Sequence, residues 1–236
     1  MGFFNVYWDS TYYYLILVVP ALLISLWAQI RVKSAFSRYS QVHNSRGLTG
    51  YLVARQILDD NGLQHVRIEC VPGSLTDHFD PTKGVVRLSQ AVYNSPSVAA
   101  IGGAAHECGH AIQYQQGYAP LKIRKAMVPI TNIGSALSWP IALVGLFMGV
   151  PWLVNAGILL FVIVVVFQLI TLPVEFNASR RALNIIQQRQ MLAPGEEYQG
   201  ARKMLTAAAL TYVAALLGSI AKPRKTTEAW ANSRRR

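Results

Sequence analysis

His106-Glu107-Cys108-Gly109-His110 is an H-E-x-x-H pattern, and on a helix it has a definite chemical content. Histidines four residues apart share one helix face, so both imidazoles can point at one metal ion. Glu107 stands beside them, within reach of a water held by that ion. A hydrolytic zinc site takes three protein ligands and keeps a fourth position open. The third ligand must come from elsewhere in the chain. His43 follows an apolar stretch, His65 lies in a β-like run, and His78 sits in a turn. Among the carboxylates Glu175 stands out, because it ends a long uncharged stretch where an isolated acid beside a membrane needs a partner. Cys108 is about 100° round the helix from each neighbour, which makes it small packing rather than a ligand.

These residues need elements that position them. Ser95-Pro96 reads as an N-cap followed by proline at the first helical position, opening a helix that runs through Ala99 to about Gln116 and carries the pattern. Upstream, residues 48–58 have apolar side chains at helical spacing and end at Asp59-Asp60-Asn61-Gly62. Residues 65–71 and 84–88 are β-like, separated by Pro72-Gly73 and Asp80-Pro81, and predict a small sheet or long hairpin. Downstream, residues 175–183 follow Pro173 and read as the start of a helix with Glu175 in its first turn.

The charge pattern places the rest. Charged residues are 14% of the 236, well below the ~25% of a soluble domain, which points to lipid as part of the surroundings. Residues 10–30 contain no charge, and residues 126–174 are 49 consecutive positions without Asp, Glu, Lys, Arg or His. The first stretch fits one transmembrane helix, and the second fits two joined at Gly149-Val150-Pro151. Residues 204–221 are a fourth candidate. The expected organisation is an N-terminal span (1–30), a cytoplasmic segment with the H-E-x-x-H helix (31–125), a transmembrane hairpin (126–174), a cytoplasmic helix with Glu175 (175–203), the fourth candidate (204–221) and a basic tail (222–236). Trp8, Tyr12, Tyr13 and Tyr14 at one end of the first span and Trp27 at the other suit interfacial belts. Residues 31–125 hold 11 basic residues and residues 1–30 hold none, so the polar segments are cytoplasmic by the positive-inside rule. The net charge of +11 thus reflects orientation, and nucleic-acid binding is not favoured. Cys70 and Cys108 have no metal-pair spacing.

The helical H-E-x-x-H, followed after a transmembrane hairpin by E-F-x-A-S-R-R-A from Glu175, resembles the YugP-like family of membrane-bound neutral zinc metallopeptidases. It is more distantly similar to the HtpX/Ste24-type membrane gluzincins. Residues 73–81 and Leu172-Pro173-Val174-Glu175-Phe176 look like the first family, and the resemblance covers roughly residues 12–217. It implies a mainly α, polytopic membrane protein with a helical zincin-like domain carrying a small β-hairpin or sheet. The implied setting is the bacterial inner membrane, with the active site facing the cytoplasm. It also implies His106, His110 and Glu175 as Zn2+ ligands and Glu107 as general base. Two departures stand out: Ser179 where the wider group often has aspartate, and Asn177 where the closer family usually has an acid.

The chemistry expected is peptide hydrolysis. A zinc site supplies an acidified water and a polarised carbonyl, and Glu107 takes the water's proton and returns it to the leaving amine. His78, Arg180 and Arg181 are the candidate donors to the oxyanion. Partners would be a peptide or membrane-protein substrate and the bilayer, with oligomeric state left open. The competing reading is a non-catalytic membrane scaffold that retains a structural zinc, motivated by Asn177, Ser179 and the basic tail. A metal transporter lacks an acid or histidine along the uncharged core.

Overall fold

Residues 19–220 are described by the computed structural model, and the aromatic start of the first apolar stretch and the tail 222–236 lie outside them. Helix α1 (Val19–Ser40) does not stop near Ile30. Residues 31–40 contain no breaker, so the helix runs ten residues past the expected 30/31 boundary and buries Phe36 and Tyr39 in the core. Helix α2 (Gly50–Asp60) begins where the Thr49 hydroxyl accepts from the Leu52 N–H and ends at Asn61, matching its sequence signals.

The β region is a three-stranded sheet rather than a single hairpin. Strand β1 (Arg67–Val71) pairs parallel with β3 (Val85–Ser89), and β2 (His78–Asp80) pairs antiparallel with β3, giving the order β1-β3-β2. His78 is therefore in a strand, not a turn. The turn that permits this is built by Asp80, whose Oδ1 accepts from the N–H groups of Thr82 and Lys83. Arg87 ties the sheet together, bridging Glu69 and Asp80 at 3.1 Å each.

After the short helix α3 (Gln90–Tyr93), α4 (Val98–Gln115) is capped by Ser97, whose hydroxyl accepts from the Ala100 N–H at 3.2 Å. Pro96 thus precedes the cap instead of occupying the first helical position: a proline disfavours helical backbone at the residue before it, and Ser97, with extended backbone, does the capping.

Helix α5 (Ala119–Phe147) begins seven residues before the uncharged stretch. A turn with Gly149 at φ +65° leads to α6 (Pro151–Gln188), with Pro151 opening the helix. The two helices pack closely: a Cβ on Gly157 would meet the Ser138 carbonyl oxygen at 2.7 Å. Helix α6 passes Pro173 without ending, so Glu175 lies in the interior of a 38-residue helix and not in the first turn of a new one. A proline removes one backbone hydrogen bond, a loss that the continuous helix before it and the packing of Val174, Ala178 and Ala182 after it absorb. The expected 175–203 helix is instead divided by the turn at 189–195, beyond which α7 (Glu196–Ile220) contains most of the 204–221 candidate.

Buried side chains from α1, α2, β3, α4, α6 and α7 form the core, with α4 at its centre. Among the described residues two helices, α5 and α6, are long and apolar enough to cross a membrane. Leu159, Ile133 and Trp152 on them are exposed.

Candidate metal centre

His106 and His110 project from one face of α4, their rings edge to face at 4.7 Å. Glu175 comes to them from α6, 3% exposed. Its Oε2 lies 3.3 Å from His106 Nε2 and 3.6 Å from His110 Nε2. A tetrahedral zinc with bonds of about 2.0 Å holds its ligands roughly 3.3 Å apart, so two imidazoles and a carboxylate at these separations fit zinc. Among the described residues no fourth His, Cys, Asp or Glu joins the cluster. Cys108 faces away: it is buried with its thiol toward the Ala54 carbonyl at 3.6 Å, and burial pushes that thiol's pKa up, against a thiolate ligand.

The approach of α4 to α6 depends on Gly109. A Cβ there would sit 2.7 Å from the Ala178 carbonyl oxygen, so only glycine lets the two helices meet where the ligands converge.

Hydrogen bonds behind the ligands fix their orientation. Arg181 Nε donates to Asn177 Oδ1 at 2.7 Å. Gln113 Nε2 donates to the same oxygen and to the Val174 carbonyl, both at 2.9 Å. Because arginine only donates, the shared Asn177 atom is an oxygen, and the Gln113 amide must turn its nitrogen toward it. Gln113 Oε1 then faces His110 Nδ1 at 3.0 Å and accepts its proton, leaving the Nε2 lone pair for a metal. On the other histidine, Ser179 Oγ lies 3.1 Å from His106 Nδ1. The two departures from the acidic pattern, Asn177 through Gln113 and Ser179 directly, are thus both engaged with a candidate ligand histidine. Gln113→Met, which keeps the volume and removes the amide, is expected to weaken zinc binding about 10- to 100-fold in competition with a chromogenic chelator. Unchanged affinity would show that His110 needs no such support.

Two cavities, about 330 and 200 Å³, meet at the cluster, and His106, Glu107, Glu175, Asp77 and Tyr212 line both. Glu107 is 8% exposed, opening onto this cleft. Arg124 of α5 reaches Glu175 Oε1 at 3.3 Å, and Tyr212 of α7 also contacts Glu175. Sequence reasoning missed both. Arg124 stands in a cluster of basic residues with Lys122 and Lys125, and Tyr212 carries no local signal in an alanine-rich stretch.

The other candidates are distributed as follows. His78 lines the larger cavity, but its Nδ1 donates to the Thr76 carbonyl at 2.9 Å and its Nε2 accepts from Arg87 at 3.3 Å, so neither nitrogen is a free donor. Arg180 is exposed. Arg181 is occupied by Asn177 and Gln116. His43 pairs through its backbone with Ser97, nine residues before His106 on α4, and His65 lines a separate cavity.

Comparison with known proteins gives a family match over residues 14–225, to the model described as "Putative neutral zinc metallopeptidase". The chain is 50% identical over 207 residues to "Putative membrane protease YugP" of Bacillus subtilis (strain 168), covering 88% of this chain and 92% of that protein. No solved structure matches the chain.

Proposed function

The chain belongs to this neutral zinc metallopeptidase family, and from that premise we propose that it is a membrane-embedded zinc endopeptidase of the gluzincin type. The observation that carries this reading is the convergence of His106, His110 and Glu175 within a cleft that Glu107 also lines. His106, His110 and Glu175 would hold zinc, which when bound acidifies a water and polarises the scissile carbonyl. Glu107 accepts a proton from the attacking water and delivers it to the leaving nitrogen, so that water adds across the C–N bond with no net proton change. Arg124, which keeps N–H donors beyond the one facing Glu175, lines the cleft where it can donate to the carbonyl oxygen as it gains charge, a role that suits it better than His78, Arg180 or Arg181, while Tyr212 helps hold Glu175. A three-residue edge strand, β2, lines the cleft through His78 and Phe79 and offers backbone groups to an extended peptide substrate.

The topology that goes with this is multi-pass, in the cell membrane. A first span within residues 1–30 has its N-terminus outside, the hairpin α5–α6 crosses twice, and the cleft faces the cytoplasm. Support comes from the exposed apolar side chains of α5 and α6 and from the basic residues at their cytoplasmic ends. Residues 204–221, within α7, are the candidate fourth crossing. A structural-zinc scaffold would call for four protein ligands, and the described residues offer three.

The test is hydrolysis of an unfolded fluorescent reporter by the full-length protein in vesicles. Stripping with a zinc chelator is expected to abolish cleavage, and added zinc to restore it. Cleavage indifferent to the chelator would refute the reading.

A further inference from the structure

A further cavity, about 810 Å³, adjoins the metal cleft, and Phe79 and Lys125 belong to the walls of both. Apolar side chains line much of it, including Leu63, Val66 and Phe79, whose ring lies 5.9 Å from that of Tyr114. Two cations stand at its wall. Lys125 holds its ammonium 5.2 Å above the Tyr114 ring, and Lys122 folds back over Gly117, where a Cβ would meet its Nζ at 3.0 Å. No aspartate or glutamate lines this cavity, and neither lysine has a carboxylate partner among the described residues. Both also sit in the first two turns of α5, whose N-terminal end is already positive by its dipole and carries no acid in its first turn. Positive potential is therefore concentrated on an apolar pocket whose own lining, among the described residues, carries no acid to neutralise it.

The pocket is also at the right distance to hold part of a substrate. Tyr114 follows His110 by one helical turn, about 6 Å along α4. An extended peptide covers that distance in about two residues. We propose that this cavity is a substrate pocket that selects an acidic side chain, aspartate or glutamate, about two residues from the bond being cut. The aliphatic part of that side chain packs on Phe79 and Tyr114, and its carboxylate meets Lys122 and Lys125. This inference rests on the peptidase reading and names its substrate class.

The test is binding, measured in protein that cannot cut. Full-length, zinc-loaded Glu107→Gln protein in phosphatidylcholine vesicles is titrated with fluorescent peptides in which one glutamate, or glutamine in its place, is moved along the chain. At low salt the glutamate peptide is expected to bind about fivefold more tightly at one position, a ratio suited to two exposed ion pairs. The ratio should fall with added salt and drop to about one in Lys122→Gln/Lys125→Gln. Equal binding of the two peptides at every position would overturn the proposal, as would a preference that survives the double substitution. So would a double variant that loses only its affinity for phosphatidylglycerol vesicles, since the lysines would then be lipid anchors. Failure of the wild type to hydrolyse any peptide would refute the peptidase reading separately, without altering these binding ratios.

Discussion

Glu107→Gln is expected to bind zinc as the wild type does and to lose peptide hydrolysis by about 10³-fold or more, within the range that a positioned general base contributes. The substitution is nearly isosteric, so packing in the cleft is retained and the ligand set of His106, His110 and Glu175 is untouched. What it removes is the only function assigned to Glu107, taking a proton from water and returning it to the leaving nitrogen. The neighbours do not supply a substitute. Glu175 is engaged with both imidazoles and with Arg124, and Asp77 accepts from the Ser89 N–H at 2.7 Å and the Ser89 hydroxyl at 3.2 Å. Retained zinc with lost cleavage separates a base from a ligand. Cleavage within a few-fold of wild type would remove Glu107 from the mechanism.

Gly109→Ala is expected to damage the metal centre from outside the ligand set. Two effects oppose each other. Alanine favours a helix over glycine by ~1 kcal/mol, and on that ground alone the variant would be more stable. The new Cβ would, however, lie 2.7 Å from the Ala178 carbonyl oxygen and 3.3 Å from its carbonyl and α carbons, atoms of backbone that cannot rotate away. Overpacking of this kind costs about 1–3 kcal/mol, so the net sign is destabilising. Relief requires α4 and α6 to part by several tenths of an ångström, and metal sites tolerate about 0.2 Å. Glu175 is three residues before Ala178 on the same helix, so the separation is felt directly at the ligands. A drop in zinc affinity of about tenfold or more, with a lower melting temperature, is the expected outcome. Gly103→Ala serves as the control, because its Cβ meets only the Val92 side chain, at an ordinary 3.8 Å. Equal effects at the two positions would mean that the close approach at Gly109 is not what sets the site.

Much of this centre is legible in the sequence because it rests on local periodicity. The four-residue spacing of His106 and His110 needs only a helix, and the apolar pattern with a serine before it supplies one. Glu175 is conspicuous as the first charge after 49 uncharged positions. The same local logic misplaces the start of its helix, since a proline followed by an acid is also what a helix N-terminus looks like. Continuity of α6 through Pro173 is decided by packing on both sides of it. His78 is misread for a similar reason: β2 has three residues, too few to show alternation, and exists because β3 offers it a partner. The shell behind the ligands is the least legible part. Gln113 matters only because Val174, Asn177 and Arg181 arrive beside it from 61 or more residues away. Arg124 and Tyr212 reach Glu175 from two further helices. None of these pairings leaves a trace in spacing or composition.

The central claim is that His106, His110 and Glu175 hold one zinc between α4 and α6. It is tested most directly by the metal content, measured by mass spectrometry, of purified full-length wild type, His106→Ala and Glu175→Ala. About one zinc per chain in the wild type and loss of it in both variants is the expected result. Loss in His106→Ala with full retention in Glu175→Ala would contradict the claim, because the third ligand would then lie elsewhere.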